Sequence, residues 1–403
     1  MKVLLVNKFL YPKGGAETYV FAVGKLLEKH GHEVQYFGLR NTKNIVGNTA
    51  DSFVKDMDFS KGVWKNISAP LRIIYNHHAR KQIRKVLEDF KPDIVHLNNI
   101  QYHLTPSIII EIDRWRKEKN KGCRIIYTAH DYQLICPSHG LFDTNIKPCE
   151  LCLDGRYIHC FQTKCLKGSR AKSLLGTMDA YFWKFSKAYS YVDIIICCSK
   201  FLKDKLDTQS RFRNQTIVLQ NFKDITPLSN IRKKGYILEF GKLCPDKGTD
   251  TLIEAAKKLP DYKFIFAGYG PSVDKMNGIQ NIEYVGFKSG EELYQLIAEA
   301  EISVCPSEWY ENCPFSVIES ISLGTPVIGS RMGGIPELID EGKTGELFEA
   351  GNVDELVYAI KKLMGNKDSL EKYTANCHKA KYETSETYYQ KLMEIYQRKT
   401  TVC

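Results

Sequence analysis

Two carboxylates with seven residues between them, Glu311 and Glu319, bracket the stretch Glu311-Asn-Cys-Pro-Phe-Ser-Val-Ile-Glu319, which follows the apolar run Ile302 to Cys305 and precedes Gly324-Thr-Pro-Val-Ile-Gly. This order reads as strand, loop and helix. Pro314 suits a first helical turn, and Phe315 to Leu323 continues as a buried helix whose N-terminus points back at the loop. Such a terminus attracts anions. Glu311 then lies in the loop and Glu319 a little more than one turn inside the helix, so both can face one ligand. Carboxylates only accept hydrogen bonds and suit diols, so Glu319 fits the hydroxyls of a ribose and Glu311 those of a sugar. Upstream, Gly241-Lys-Leu-Cys-Pro-Asp-Lys-Gly248 supplies Lys242 and Lys247, two cations suited to a diphosphate.

These residues meet only if strands carry them to one edge. Open α/β sheets bind ligands beyond the carboxyl ends of their strands. Strands predicted at Tyr236 to Phe240, Lys263 to Ala267, Ile282 to Val285, Ile302 to Cys305 and Pro326 to Ile328 would open the required loops on one side of a C-terminal α/β unit, residues 235–380. Before it, residues 1–222 alternate in the same way. Strands are expected at Val3 to Val6, Val34 to Phe37, Ile94 to Leu97, Arg124 to Thr128, Ile194 to Cys198 and Ile217 to Leu219, apolar enough to be covered on both faces. Gly14-Gly15 turns the chain into a helix from Ala16 to His30. Residues 223–234 read as a polar linker. In the last segment, 381–403, a helix from Ser385 to Gln397 carries Tyr388, Tyr389, Leu392, Met393 and Tyr396 on one stripe and needs a surface to cover, expected on the N-terminal domain.

Composition sets the outer bounds. The 403 residues are 43% hydrophobic with a net charge of +10, an ordinary globular balance over two or three domains. The opening apolar run, Val3 to Val6, is shorter than a secretory leader requires and no run reaches membrane-spanning length, so the chain is expected to stay in the cytoplasm. Charge is uneven: 35 basic against 20 acidic residues in 1–222 give +15, and 22 against 27 in 223–403 give −5. The first half should therefore approach something anionic. Leu71 to Phe90, with Arg72, Arg80, Lys81, Arg84 and Lys85, is the most basic predicted helix; it is either a solvated face or a dock for anionic headgroups of an inner membrane leaflet. No helix-turn-helix, finger or RNA-binding signature points to nucleic acid.

With these residues in order, the chain resembles the retaining glycosyltransferases of family 4, the glycosyl transferases group 1 of the GT-B fold. The match runs through Gly14-Gly15-Ala16-Glu17, Gly31-His32-Glu33-Val34, Thr128-Ala-His130-Asp131, Ser199, Gly241-Lys-Leu, Lys247-Gly248, Glu311-x7-Glu319 and Gly324-Thr-Pro-Val327. The resemblance implies two facing Rossmann-like domains with the active site in the cleft between them. It implies that Glu319 holds a donor ribose, Glu311 contacts the transferred sugar, and Lys242 and Lys247 neutralise the leaving diphosphate. His130 would stand near the sugar, Gly15 would let backbone approach the diphosphate, and amides of Phe315, Ser316 and Val317 would meet phosphate or sugar. Position 242 departs from the family, which commonly has arginine there; lysine keeps the charge and loses the bidentate fork. The implied chemistry retains the anomeric configuration, stabilises the departing diphosphate electrostatically and requires no metal. Asp56-Met-Asp58 has a metal-site spacing used by transferases of another fold, but reads as a surface loop. Glu17 can equally be a first-turn acid favoured by the helix dipole.

An insertion from Asp131 to Gly168 carries Cys136, Cys149, Cys152, Cys160 and Cys165. In a reducing compartment five cysteines at this density suggest a structural zinc held by Cys149, Cys152, Cys160 and Cys165, with Cys136 as an alternative ligand; the other reading is a loop of free thiols. Beside His130, such a loop would shape the acceptor site. The expected activity is transfer of a hexose from a nucleotide-diphosphate sugar, such as a UDP-sugar, to a lipid-linked or polysaccharide acceptor in cell-surface glycan synthesis. The alternatives are a non-catalytic nucleotide-sugar or glycan-binding module and an epimerase on the same fold.

Overall fold

The near-continuous apolar runs of the N-terminal half fold as parallel strands covered on both sides. The computed structural model describes residues 1–55, 69–145, 147–226, 228–229 and 231–398. In chain order its first part comprises β1 (Lys2–Val6), α1 (Gly15–Lys29), β2 (Glu33–Phe37), the short β3 (Leu39–Arg40) and β4 (Val54–Lys55), α2 (Ala69–Ile74), α3 (His77–Phe90), β5 (Ile94–Leu97) and α4 (Ser107–Lys119). There follow β6 (Arg124–Ala129), α5 (Ile158–Thr163), α6 (Arg170–Ser186), β7 (Ile194–Cys197), α7 (Lys200–Asp207) and β8 (Thr216–Val218). Six strands pair in parallel in the order β2-β1-β5-β6-β7-β8. Every residue of β5 and β7 is buried, which is why neither shows polar alternation.

The second part repeats the plan. It comprises β9 (Tyr236–Lys242), α8 (Thr249–Lys257), β10 (Lys263–Tyr269), β11 (Ile282–Tyr284), α9 (Gly290–Glu299), β12 (Ile302–Cys305), α10 (Phe315–Ser322), β13 (Val327–Ser330) and β14 (Gly345–Phe348), then α11 (Val353–Met364), α12 (Lys367–Cys377) and α13 (Ser385–Gln397). The sheet order is β11-β10-β9-β12-β13-β14, all parallel. β14 has no counterpart in the sequence reading, because Gly345-Glu-Leu-Phe is short and carries a charge. Both sheets change winding direction beside their first strand, between β1 and β5 and between β9 and β12, the positions where a doubly wound sheet opens a crevice.

α13 finds its surface on the first sheet. Tyr388, Leu392, Ile395 and Tyr396 are buried there. The Tyr388 hydroxyl meets that of Tyr19 at 2.5 Å, His96 Nδ1 meets the Tyr396 hydroxyl at 2.7 Å, and Arg124 donates to the carbonyls of Ile395 and Tyr396. Chain therefore crosses between the sheets twice, after β8 and after α12.

One expectation changes and one lies out of reach. The basic stretch from Leu71 to Phe90 is two helices, because Asn76 caps α3 through its side chain, accepting from the Ala79 amide. Arg80 and Arg84 are tied to Glu111, Glu88 and Glu118, while Ile83, Val86 and Leu87 point into the core. Two of the α3 cations are thus ion-paired, while Lys81 and Lys85 are exposed. Asp56 and Asp58 lie outside the described residues.

Candidate active site

A cleft of about 620 Å³ lies between the two sheets, lined on one side by Gly15, Ala16, His130 and His139 and on the other by Lys242, Lys247, Glu311 and Glu319. The loops and helices beyond the strand ends position them, His139 from within the insertion and Glu319 from within α10. Gly15 opens α1, after the loop of residues 7–14 that follows β1; Gly14 before it is fully extended, and a side chain at Gly15 would meet nothing within 4 Å, so the first turn of α1 faces open space. His130 follows β6. Lys242 ends β9, Lys247 closes the short turn after it, and Glu311 to Pro314 link β12 to α10.

Charges in the cleft are arranged in pairs. Lys247 contacts the Glu311 carboxylate and lies over the Trp309 ring, 4.6 Å from its centroid. Glu319, buried on α10, pairs at 3.1 Å with Lys223. Burial raises the Glu319 carboxyl above the ordinary range, and Lys223 offsets part of that. Lys242 is the more exposed cation, 3.6 Å from Asp246. Of the three helix amides expected to face an anion, Phe315 and Ser316 belong to cleft-lining residues. The Val317 side chain is buried in the core and its amide already donates to the Pro314 carbonyl at 3.3 Å, because Pro314 is the N-cap and the first bonded turn closes onto it.

His130 presents a neutral ring. Its Nε2 lies 2.9 Å from Asn98 Oδ1, so that nitrogen carries the proton and donates. Tyr19 packs edge-on at 4.8 Å, and burial lowers the imidazole to about 4. Glu17 has a different place: it is buried in the first turn of α1 and accepts from Asn7 Nδ2 at 3.0 Å, a structural partnership.

Several cleft residues escaped the sequence reading. Lys223 sits in the stretch read as a linker, and only the fold brings it to Glu319. Glu239 is a lone acid inside the apolar strand Tyr-Ile-Leu-Glu-Phe, a readable signal; it is buried at the cleft wall, accepts from Thr249 at 2.7 Å and is pushed up to about 8 by burial. Polar contacts also bridge the two domains. Asn312 Nδ2 donates to the His130 carbonyl at 2.8 Å, and Glu337 accepts from the Lys200 and Phe201 amides at the start of α7.

The cysteine-bearing insertion leans over the same opening. Glu150 accepts from the Tyr310 hydroxyl at 2.8 Å, and the Phe142 and Trp309 rings are 5.9 Å apart. Cys152 and Cys160 are buried with Tyr157, and Cys165 packs beside them with its Sγ 2.6 Å from that of Cys160. Cys136 is buried nearby; burial raises its thiol and that of Cys152, and the contact with Cys165 raises that of Cys160. Among the described residues, no group of three or more His, Cys, Asp or Glu side chains is disposed to hold a metal ion.

Known proteins share this fold. A family model described as Glycosyltransferase Family 4 matches residues 13–226, more than half of the chain, and one described as Glycosyl transferases group 1 matches residues 222–381. An uncharacterized 42.6 kDa protein in the cps region of Klebsiella pneumoniae is 27% identical over 367 residues, 84% of this chain and 87% of that one. Among solved structures, a sucrose-phosphate synthase from Thermosynechococcus elongatus superposes with a TM-score of 0.69 at 15% identity, covering 98% of each chain. The Anabaena protein HepE in complex with UDP and glucose gives 0.63, also at 15% identity, over 98% of this chain and 99% of that one. The chain therefore belongs to the glycosyltransferases that these two family models describe, built on the GT-B architecture of two Rossmann-like domains facing one cleft.

Proposed function

We propose that this glycosyltransferase is a retaining enzyme that moves a hexose from a nucleotide-diphosphate sugar of the UDP type to a lipid-linked or polysaccharide acceptor in cell-surface glycan synthesis. The observation that carries the reading is the pairing of Glu311 and Glu319 around the start of α10 with Lys247 and Lys223. Glu319, buried with an oxygen toward the cleft, suits the two hydroxyls of a ribose. A diphosphate entering beside it would draw Lys247 and Lys242 and face the α10 terminus at Phe315 and Ser316. Glu311, released from Lys247, would then accept from sugar hydroxyls. The likeness to a structure holding UDP and glucose supports the donor class.

Catalysis would follow from the developing charge. As the glycosidic bond to the diphosphate lengthens, negative charge grows on the leaving oxygen, where two lysines and a helix terminus oppose it. That is the work a divalent cation does in other transferases, so the proposed reaction is metal-independent. The departing diphosphate takes the acceptor's proton on the face it leaves, which retains configuration. His130, uncharged and donating from Nε2 to Asn98, would serve as a positioning residue on the sugar's other side.

A panel of nucleotide sugars, scored by thermal shift and by slow donor hydrolysis with Glu319→Ala beside the parent, tests this. One class of donor should raise the melting temperature and be hydrolysed, and Glu319→Ala should lose both responses. A folded parent that answers to no donor would sink the reading, and an isomerised donor would turn it to an epimerase.

A further inference from the structure

α6 is built inside out. At 100° per residue, Ala171, Leu174, Leu175, Met178, Phe182 and Phe185 fall on one stripe, and that stripe faces outward. Leu174 is 45% exposed, Met178 53%, Phe182 41% and Phe185 73%. The opposite face, packed on the protein, carries Ser173, Gly176, Thr177, Asp179 and Trp183. These are small or satisfied locally: Thr177 donates to the Tyr157 carbonyl, Asp179 accepts from Trp183, and a side chain at Gly176 would strike Leu166. Ile158 on α5, 41% exposed, extends the apolar patch beside Tyr181. A helix stabilised only by its own domain would have the reverse pattern.

The charges around the stripe have one sign. Residues 158–192 contain six lysines and arginines and a single acid, 6 − 1 = +5, and that acid, Asp179, is turned inward. Lys164, Lys167, Arg170 and Lys172 gather at the start of α6 and Lys187 at its end, all exposed. Cations in a first helical turn oppose the helix dipole, so their place there does not stabilise the helix and calls for an anionic neighbour.

We propose that α6 is an interfacial helix that seats this domain on an anionic lipid surface, its apolar stripe among the acyl chains and its flanking cations among the headgroups. At 17 residues α6 lies along a membrane, and no helix among the described residues is long and apolar enough to cross one. A second copy of the chain is the poorer occupant: two-fold pairing of the stripes would set basic helix ends against basic helix ends. The inner face of α6 supplies Asp179 and Trp183 to a small hollow that also contains His139, and His139 lines the cleft. A lipid-linked acceptor held in that membrane would therefore be presented on the His130 side, a consequence that rests on the transferase reading above.

The test uses the full chain and no donor. Parent protein should co-sediment with vesicles of equimolar phosphatidylcholine and phosphatidylglycerol, bind phosphatidylcholine vesicles weakly, and release as salt rises. The variant Met178→Gln/Phe182→Gln/Phe185→Gln, changed only at exposed positions, should keep its melting temperature and lose most of the bound fraction; Lys167→Glu/Arg170→Glu/Lys172→Glu should lose the preference for anionic vesicles. Equal binding by parent and apolar variant overturns the proposal, as does a parent that ignores both vesicle types. A dimer that the apolar variant converts to monomer, without an effect on vesicles, assigns the stripe to a second copy. Donor-induced thermal shift in the same variant is expected to persist, so failure of the membrane reading is distinguishable from failure of the donor site.

Discussion

The side-chain amide of Asn312 donates to the backbone carbonyl of His130 at 2.8 Å, joining the loop that carries Glu311 to the strand end that carries the cleft histidine. Two domains that face each other keep catalytic geometry only while such contacts hold. Asn312→Ala removes one neutral hydrogen bond, worth about 0.5–1.5 kcal/mol, so turnover should fall roughly twofold to tenfold with little change in melting temperature. Steady-state transfer or donor hydrolysis reads this, and unchanged turnover would show that the contact does not hold the cleft.

Lys223 and Glu319 form the cleft's second ion pair, and both are largely shielded. Lys223→Met leaves a buried carboxylate without its counter-ion. The cost of breaking a fully buried pair is about 3–5 kcal/mol, and with 29% of the Lys223 side chain exposed the expected loss is nearer 2 kcal/mol in urea unfolding. Lys223→Met/Glu319→Leu should recover most of it, since neither charge is then stranded; an unrecovered loss would place the defect in packing.

The histidines predict how stability moves with pH. Burial lowers His130 from 6.5 to about 4 and His96, which also faces His130, to about 3. In the unfolded chain both take up a proton near their ordinary value while the folded rings stay neutral. Their contribution is therefore complete above about pH 6.5 and is lost as pH falls toward 4. Glu239, raised to about 8 by burial, acts in the other direction: its contribution is present below its ordinary 4.5 and lost as pH rises toward 8. Between pH 7 and pH 5 the histidines and the raised carboxyls oppose one another, so the diagnostic is the difference between proteins: the urea midpoint of His130→Gln should fall less, or rise more, than that of the parent. An equal change in both would show that His130 titrates freely.

The sheets were legible because their strands are long apolar runs with little polar interruption, and α13 because five large residues share one face. The C-terminal side of the cleft was legible for a different reason: Lys242, Lys247, Glu311 and Glu319 lie within 78 residues of one α/β unit, where strand order dictates which loops meet. Lys223, Asn312 and Glu337 were not legible, since each acts across a chain separation that only the docking of two domains closes. α6 was hidden in another way. Its periodicity marks one face as apolar, but periodicity does not say which face looks outward, and the usual assumption buries the stripe.

The insertion makes a chemical prediction. Cys160 and Cys165 are in direct contact, and the pair gives up its first proton more readily than an ordinary thiol because the remaining S–H hydrogen-bonds to the thiolate; the more exposed Cys165 bears that charge. Iodoacetamide at neutral pH should label Cys165 before any other insertion cysteine, and Cys160→Ser should slow it. Zinc analysis after metal-replete expression reads the alternative. Zinc well below one per chain is the outcome that keeps Cys165 a free thiol. One zinc per chain, protecting Cys165 from alkylation, would mean that Cys136, Cys152, Cys160 and Cys165 rearrange around a metal.

Gly333 and Gly334 hold the Glu311 loop by the absence of side chains. A Cβ at Gly333 would lie 2.0 Å from the Glu311 carbonyl oxygen, and Gly333 also has φ +62°, which glycine adopts without strain. A Cβ at Gly334 would lie 1.9 Å from the Asn312 carbonyl oxygen and 2.9 Å from Ser199 Cβ, while the Gly334 amide donates to the Glu311 carbonyl at 2.7 Å. The obstacle in each case is backbone, which cannot swing aside as a side-chain tip can. Gly334→Ala must therefore push residues 311–312 toward the cleft, dislodging the Glu311 carboxylate and the Asn312 bridge together. Transfer should drop by more than Asn312→Ala alone causes, at least about tenfold, since a misplacement of 1 Å is enough to cost that much in a reaction that depends on alignment. Donor-induced thermal stabilisation should weaken less, because Glu319 and Lys223 stand on the far side of Pro314 and are not displaced. If stabilisation and transfer fall in proportion, the Glu311 loop binds donor as a whole and has no separate part in aligning it.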